Sequence, residues 1–136
     1  MIDKMQERDP QIERELEELV GVLVNIVPQL TEVRIFGSYN NGNWNPKTSD
    51  IDVFVETGDE SYSKYERSFK KRIDVKDKIR QNIESNCEDF LRFSINLFTV
   101  EDVRKDSGNI GYAGNFILAA KSGRLIHPSK QNQAVN

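Results

Sequence analysis

The sequence has almost no cysteine or histidine. Cys87 is the only cysteine among its 136 residues, which excludes an internal disulfide and a zinc site built from cysteines. His127 is the only histidine, so a metal site or a catalytic triad built on histidine would be unusually sparse. The 22 aspartate and glutamate residues are therefore the main candidates for catalytic and metal-binding groups.

Long apolar segments and an excess of basic residues are missing as well. No run of apolar residues is long enough to cross a bilayer, and the charged residues 1–8 lack the apolar stretch of a signal peptide. We therefore expect a cytoplasmic protein with no membrane partner. The formal net charge of −3 argues against general binding to nucleic acid.

Length and hydrophobic spacing predict one domain over residues 1–136, with a core at about residues 11–127 and a disordered tail at 128–136. The predicted elements are a helix at 11–27, a strand at 33–36, a loop at 39–49, a strand that starts near residue 51, a long helix over 62–83, a strand at 90–100, a helical turn at 101–105, a helix at 109–122 and a short strand at 125–126. Helices and strands mixed in this way indicate an α+β fold.

Two short motifs near the middle of the chain point to its chemistry. The first predicted strand runs into Gly37 and Ser38, where glycine lets the backbone approach a ligand and a following helical turn offers unpaired amide donors. We call these two residues the phosphate grip. Asp50 and Asp52 alternate with the apolar residues of the second strand, which predicts both carboxylates on one face, where they can share hard cations with a triphosphate.

Each motif alone has an ordinary structural explanation. A Gly-Ser pair is most often a turn, and an Asp-x-Asp pattern on a strand is most often a solvated face. Together, at the end of one strand and on the face of the next, they favour metal-dependent attack on a nucleoside triphosphate. Tyr39 and Trp44 lie between the two motifs, and each either contacts a nucleotide or packs to hold its loop.

The combined pattern of Gly37-Ser38, one loop, and Asp50-x-Asp52 resembles the signature of the DNA polymerase β nucleotidyltransferase superfamily. Over residues 12–127 the chain is similar to the minimal nucleotidyltransferase branch of that superfamily. The resemblance implies an α+β fold in which a small mixed β-sheet has its helices packed on one side.

The resemblance also implies an activity and a partner. Similar proteins bind ATP or another nucleotide with Mg²⁺, transfer a nucleoside monophosphate to a hydroxyl and release pyrophosphate. Many minimal members resemble antitoxins that pair with a helical HEPN ribonuclease toxin and adenylylate it. By this resemblance Asp50 and Asp52 hold one or two Mg²⁺ ions, the phosphate grip holds the ATP triphosphate, and a HEPN-type toxin is the partner.

The chain departs from the family pattern at one position. Related domains often carry a third carboxylate on the next strand, where this chain has Asn96. Asparagine offers a carbonyl oxygen to a metal, but it brings no charge and cannot accept a proton as a carboxylate does. Two hypotheses stay open: an active transferase with Asp50, Asp52 and Asn96 as its catalytic set, and a catalytically weakened binding module that neutralises or scaffolds a partner by contact.

Overall fold

Helices and strands are interspersed along the chain, as the sequence predicts. The computed structural model describes residues 8–47, 49–62, 69–86, 92–106 and 112–128. Within these ranges the strands are β1 (Leu30–Phe36), β2 (Ile51–Thr57), β3 (Phe93–Thr99) and β4 (Arg124–His127). The helices are α1 (Pro10–Ile26), α2 (Ser38–Asn41), α3 (Phe69–Asn86), α4 (Val100–Asp106) and α5 (Tyr112–Lys121), and a 3₁₀ turn at Glu60–Tyr62 follows β2.

The four strands form one mixed sheet in the order β3-β2-β1-β4. Strand β1 is antiparallel to both β2 and β4, whereas β3 is parallel to β2. A parallel pair needs a crossover connection, and α3 lies in the segment that joins β2 to β3. The predicted α+β fold with a small mixed sheet is thus confirmed.

One face of the sheet packs against α1 and α3 to form the main core. Helix α1 begins after Asp9, whose side chain accepts hydrogen bonds from the N–H groups of Gln11 and Ile12. Its apolar residues recur at helical spacing and bury one stripe of the helix. Because successive strand side chains point to opposite faces, every second strand residue joins this core. The fully buried strand residues of this core are Val33, Ile35, Ile51, Val53 and Val55.

The other face of the sheet is partly covered by helix α5. Phe36 and Phe54 on this face pack with Ile117 and Ala120 of α5, and Phe54 is fully buried. The resemblance implied helices on one side only, and this detail is corrected. The strands carry large aromatic side chains on the second face, and a second layer of helix removes their apolar area from water.

Most element boundaries agree with the sequence prediction. The helix at 11–27 and the helical turn after Gly37 are confirmed as α1 and α2. Strand β1 begins at Leu30 and not at residue 33, because Leu30 still pairs with Thr57 of β2. Parts of several predicted segments lie outside the described residues: 129–136 of the tail predicted at 128–136, 63–68 of the long helix, 90–91 of the third strand and 109–111 of the helix predicted at 109–122. Among the residues described, no helix is long and apolar enough to cross a membrane.

Candidate active site

The backbone turn after β1 lies directly against the Asp52 carboxylate. Strand β1 ends at Phe36, which pairs with Asp52 of β2, so the chain passes Asp52 as it leaves the sheet. Gly37 has a φ of 82°, and a methyl group built on its Cα would lie 2.2 Å from Oδ2 of Asp52. Only glycine leaves room for the carboxylate here. The two motifs that the sequence singled out therefore meet at one point.

Helix α2 starts at Ser38 and is a single turn. Two backbone hydrogen bonds hold this turn: the Asn41 N–H donates to the Gly37 carbonyl (3.0 Å), and the Asn43 N–H donates to the Ser38 carbonyl (2.9 Å). Gly42, with a φ of 85°, ends the turn. The first N–H groups of any helix have no partner within that helix. In α2 these groups follow Gly37 directly, at the end of β1 that faces Asp52.

Asp50 and Asp52 are two neighbouring negative charges without a described cationic partner. Asp50 is exposed and lies one residue before β2, while Asp52 is half-buried on the strand. Burial raises the pKa of Asp52 above its usual value, and the charge of Asp50 raises it further. Within the described part of the chain, neither carboxylate forms an ion pair with a lysine or arginine. The aspartate pair, as we call these two residues, therefore favours a bound cation.

The oxygen donors of the aspartate pair fit a magnesium ion that is shared with a nucleotide. Mg²⁺ is usually held by one or two carboxylates together with substrate phosphates, and not by a cage of protein ligands alone. The residues described contain no cluster of three or more histidine, cysteine, aspartate or glutamate side chains suited to a metal. A donor set of two carboxylates suits a metal that arrives with a triphosphate.

Asn96 lies on the same face of the sheet as Asp52 but is not level with it. In the parallel register of β2 and β3, Asp52 pairs with Ser94, and Asn96 pairs with Phe54. The side-chain nitrogen of Asn96 donates to the backbone carbonyls of Val53 (3.3 Å) and Ser94 (3.1 Å). The amide thus ties β3 to β2. The register also makes Ser94 a hydroxyl-bearing neighbour of Asp52, which the sequence motif did not indicate.

Comparison with protein families agrees with this geometry. The family model of the nucleotidyltransferase domain matches residues 10–101, well over half of the chain. The chain belongs to this nucleotidyltransferase family. The matched range contains the phosphate grip, the aspartate pair and Asn96, and it supports the resemblance to the polymerase β superfamily. The general activity of the family is nucleotidyl transfer. No curated protein and no solved structure matched the chain.

The nucleotidyltransferase domain holds a buried tyrosine beside the phosphate grip. The Tyr39 side chain is only 7% exposed, and its hydroxyl donates to Oε2 of Glu13 (2.7 Å) and accepts from the Asp9 N–H (3.1 Å). Arg124 donates to both oxygens of the Glu13 carboxylate, at 3.1 and 2.9 Å. Burial and the hydrogen bond to Glu13 raise the pKa of Tyr39 well above its usual value, so the hydroxyl stays protonated. The sequence could not reveal the pairing of Glu13 with Arg124, because 111 residues separate them.

Trp44 holds the loop between the phosphate grip and the aspartate pair. Its ring meets that of Tyr39 edge to face, with the ring centroids 5.2 Å apart. Its Nε1 donates a hydrogen bond to the Ser49 carbonyl at 2.9 Å. Both aromatic residues therefore pack to hold the loop, as one of the two interpretations predicts; contact of either with a nucleotide stays a prediction.

A groove of about 350 Å³ lies between α1 and β4 of the nucleotidyltransferase domain. The residues that line it are Glu13, Leu16, Glu17, Val20, Arg124, Leu125 and Ile126. None of them belongs to the phosphate grip or the aspartate pair. The groove is therefore separate from the candidate nucleotide site.

Proposed function

We propose that this domain is a Mg²⁺-dependent nucleotidyltransferase that moves AMP from ATP to a hydroxyl group of a partner protein. The observation that carries the proposal is the contact between the Gly37 backbone and the Asp52 carboxylate. A triphosphate needs backbone donors for its oxygens and carboxylates for its cation, within reach of one another. A Gly-Ser turn packed against a carboxylate supplies both in one place.

The roles in this proposal follow from the chemistry of each group. Gly37 and Ser38 bind the triphosphate through backbone N–H groups and the Ser38 hydroxyl. Asp50 and Asp52 hold Mg²⁺, which when bound neutralises phosphate charge and acidifies the attacking hydroxyl. The acceptor oxygen forms a bond to the α-phosphorus of ATP, the bond from that phosphorus to pyrophosphate breaks, and the hydroxyl proton passes to solvent water. The chain contributes orientation and charge neutralisation, the main requirements of such a transfer.

The partner in this proposal is a HEPN-type toxin, with the domain acting as its antitoxin. This part rests on the resemblance to minimal nucleotidyltransferases, many of which modify such toxins, commonly on tyrosine. A small helical protein encoded by an adjacent reading frame is the first acceptor to test. A small-molecule acceptor, such as an antibiotic, is the competing outcome.

Transfer of labelled nucleotide tests the proposal. The native protein, Asp52→Asn and the control Asp77→Asn, which alters an exposed acidic residue of α3, are incubated with α-labelled ATP, Mg²⁺ and the candidate toxin. We expect label on the toxin with the native and Asp77→Asn proteins and none with Asp52→Asn. The proposal fails if the native protein transfers no nucleotide, or if Asp52→Asn transfers as well as the native protein.

One observation favours a second function, neutralisation of a partner by contact. The Asn96 side-chain nitrogen donates to two backbone carbonyls, and the residue brings no third carboxylate to the site. Full neutralisation of the toxin by the double variant Asp50→Asn, Asp52→Asn would support this function. If the double variant still binds the toxin but no longer neutralises it, transfer is the correct alternative.

A further inference from the structure

A single buried side chain anchors helix α2, which carries Ser38 of the phosphate grip. Of the four residues of α2 only Tyr39 is buried. A helix of one turn is not stable alone, because nucleation costs more than its few hydrogen bonds return. Gly37 and Gly42 flank the helix in the left-handed region, where glycine leaves the backbone permissive. The position of α2 on the sheet therefore depends on Tyr39.

The Tyr39 hydroxyl connects α2 to two segments that are distant in sequence. It contacts the start of α1 twice, through the Glu13 carboxylate and the Asp9 N–H. Glu13 is held in turn by the two hydrogen bonds from Arg124 of β4, and these side chains are only 28% and 21% exposed. A bidentate pair of guanidinium and carboxylate fixes the orientation of the carboxylate as well as its distance. The carboxylate that receives the Tyr39 hydroxyl is thus itself held in place.

The ring of Tyr39 also reaches the loop that leads to the aspartate pair. It packs edge to face on Trp44, whose Nε1 donates to the carbonyl of Ser49. Ser49 is the residue before Asp50. Tyr39 therefore contacts, directly or through Trp44, both chain segments that form the candidate site.

We propose that Tyr39 is a positioning residue that holds the phosphate grip against the aspartate pair, supported by Glu13 and Arg124. The inference rests on the proposed function, because its effect is on triphosphate binding. Tyr39 is buried and its hydroxyl faces α1, so it acts through α2 and not by contact with the substrate. A tyrosine that only stabilises the fold would leave nucleotide affinity of the folded protein unchanged.

The test compares Tyr39→Phe and Glu13→Gln with the control Glu17→Gln, which makes the same change one turn further along α1 at an exposed position. Affinity for ATP with Mg²⁺ is measured by calorimetry, and transfer kinetics are measured with the same proteins. Both use a temperature at which circular dichroism shows that every variant is folded. Tyr39→Phe loses both hydrogen bonds of the hydroxyl, which should weaken ATP binding about fivefold to tenfold. KM for ATP should rise by the same factor, while kcat stays within about twofold of the native value.

Glu13→Gln keeps an acceptor for the Tyr39 hydroxyl but loses the charge that holds Arg124, so its loss of ATP affinity should be smaller. Glu17→Gln should bind as the native protein does. Unchanged ATP affinity in Tyr39→Phe, or in Glu13→Gln if Tyr39→Phe does not fold, overturns the positioning role alone. Absence of ATP binding by the native protein overturns the proposed function and this inference with it.

Discussion

Two pairs of acidic residues lie at opposite ends of the β1–β2 ladder, and their surroundings differ. At one end Glu32 of β1 is directly opposite Glu56 of β2. At the other end Asp52 is opposite Phe36, with Asp50 just before the strand. Strand alternation puts the three strand carboxylates on one face, so the difference between the ends comes from the neighbours that each end receives.

The glutamate end is neutralised by the protein itself. Lys121 Nζ lies 2.7 Å from Oε1 of Glu32 and 3.8 Å from Oε2 of Glu56, and Arg34 Nε lies 2.6 Å from the same Glu32 oxygen. Burial raises the pKa of Glu32, but the hydrogen bonds from Lys121 and Arg34 outweigh it and hold this pKa below its usual value. Lys121 also lies over the ring of Phe54, 5.7 Å from its centroid. This end stabilises the fold.

The aspartate end receives no such cation from the described residues, and the pKa of Asp52 is raised instead of lowered. Arg34 and Lys121 neutralise the glutamate end, whereas Asp50 and Asp52 at the other end repel each other. Such an arrangement costs stability, and a cation from solution can offset that cost. The contrast is the physical reason to look for Mg²⁺ and phosphate at Asp50 and Asp52.

The largest effect is expected from Asp52→Asn. If Asp52 holds Mg²⁺ as proposed, transfer should fall more than about 100-fold. At neutral pH without Mg²⁺ the variant should nevertheless melt at a higher temperature than the native protein, because a raised pKa means that folding disfavours the Asp52 charge. Labelled transfer and thermal denaturation in EDTA measure the two effects. A lower melting temperature would mean that the aspartate end resembles the glutamate end.

The contact between Gly37 and Asp52 predicts the next effect. Gly37→Ala places a methyl group 2.2 Å from the Asp52 carboxylate at a φ of 82°, so the turn or the carboxylate must move. We expect a loss of about 2 kcal/mol or more in unfolding free energy, together with weaker ATP binding. Gly21→Ala is the control, because nothing lies within 4 Å of that position on α1. The control should stabilise by about 0.5–1 kcal/mol; equal behaviour of the two variants would contradict the contact.

The sequence was sufficient where local spacing decides the structure. Helix α1 follows from the helical spacing of its apolar residues. The phosphate grip and the aspartate pair follow from the end of one strand and the alternation of the next. Their contact does not follow, because the pairing of Phe36 with Asp52 is set by the whole β1–β2 register. A motif can therefore identify site residues before it can place them in space.

The sequence was insufficient where distant segments meet. The parallel register that puts Ser94, and not Asn96, level with Asp52 depends on the crossover through α3. Two further contacts join residues far apart in the chain: α5 packs on Phe54, and Glu13 pairs with Arg124. Spacing rules describe one element at a time, so these contacts needed the folded structure.

The glutamate end predicts a pH dependence of stability. The folded pKa of Glu32 is lowered, so its stabilisation is present above the unfolded value of about 4.5 and is lost as pH falls through the folded value. Glu32→Gln should lower the unfolding free energy by about 1 kcal/mol at neutral pH. On acidification this variant should lose less stability than the native protein does. Denaturant unfolding at neutral and acidic pH measures this. Glu17→Gln, an exposed control, should keep the native acid profile, and an unchanged profile in Glu32→Gln would remove the contrast between the ends.

The smallest effect is expected from Asn96→Asp, which adds a third carboxylate near the aspartate end. The Asn96 nitrogen donates to the carbonyls of Val53 and Ser94, whereas an ionised aspartate has no hydrogen to donate and faces both oxygens. In EDTA we expect a loss of about 0.5–1 kcal/mol in unfolding free energy. Asn86→Asp, an exposed amide at the end of α3, should change stability less. If Mg²⁺ with ATP raises the melting temperature of Asn96→Asp more than that of the native protein, residue 96 can join the proposed metal site. An equal rise in both proteins would mean that Asn96 only links β3 to β2 by hydrogen bonds.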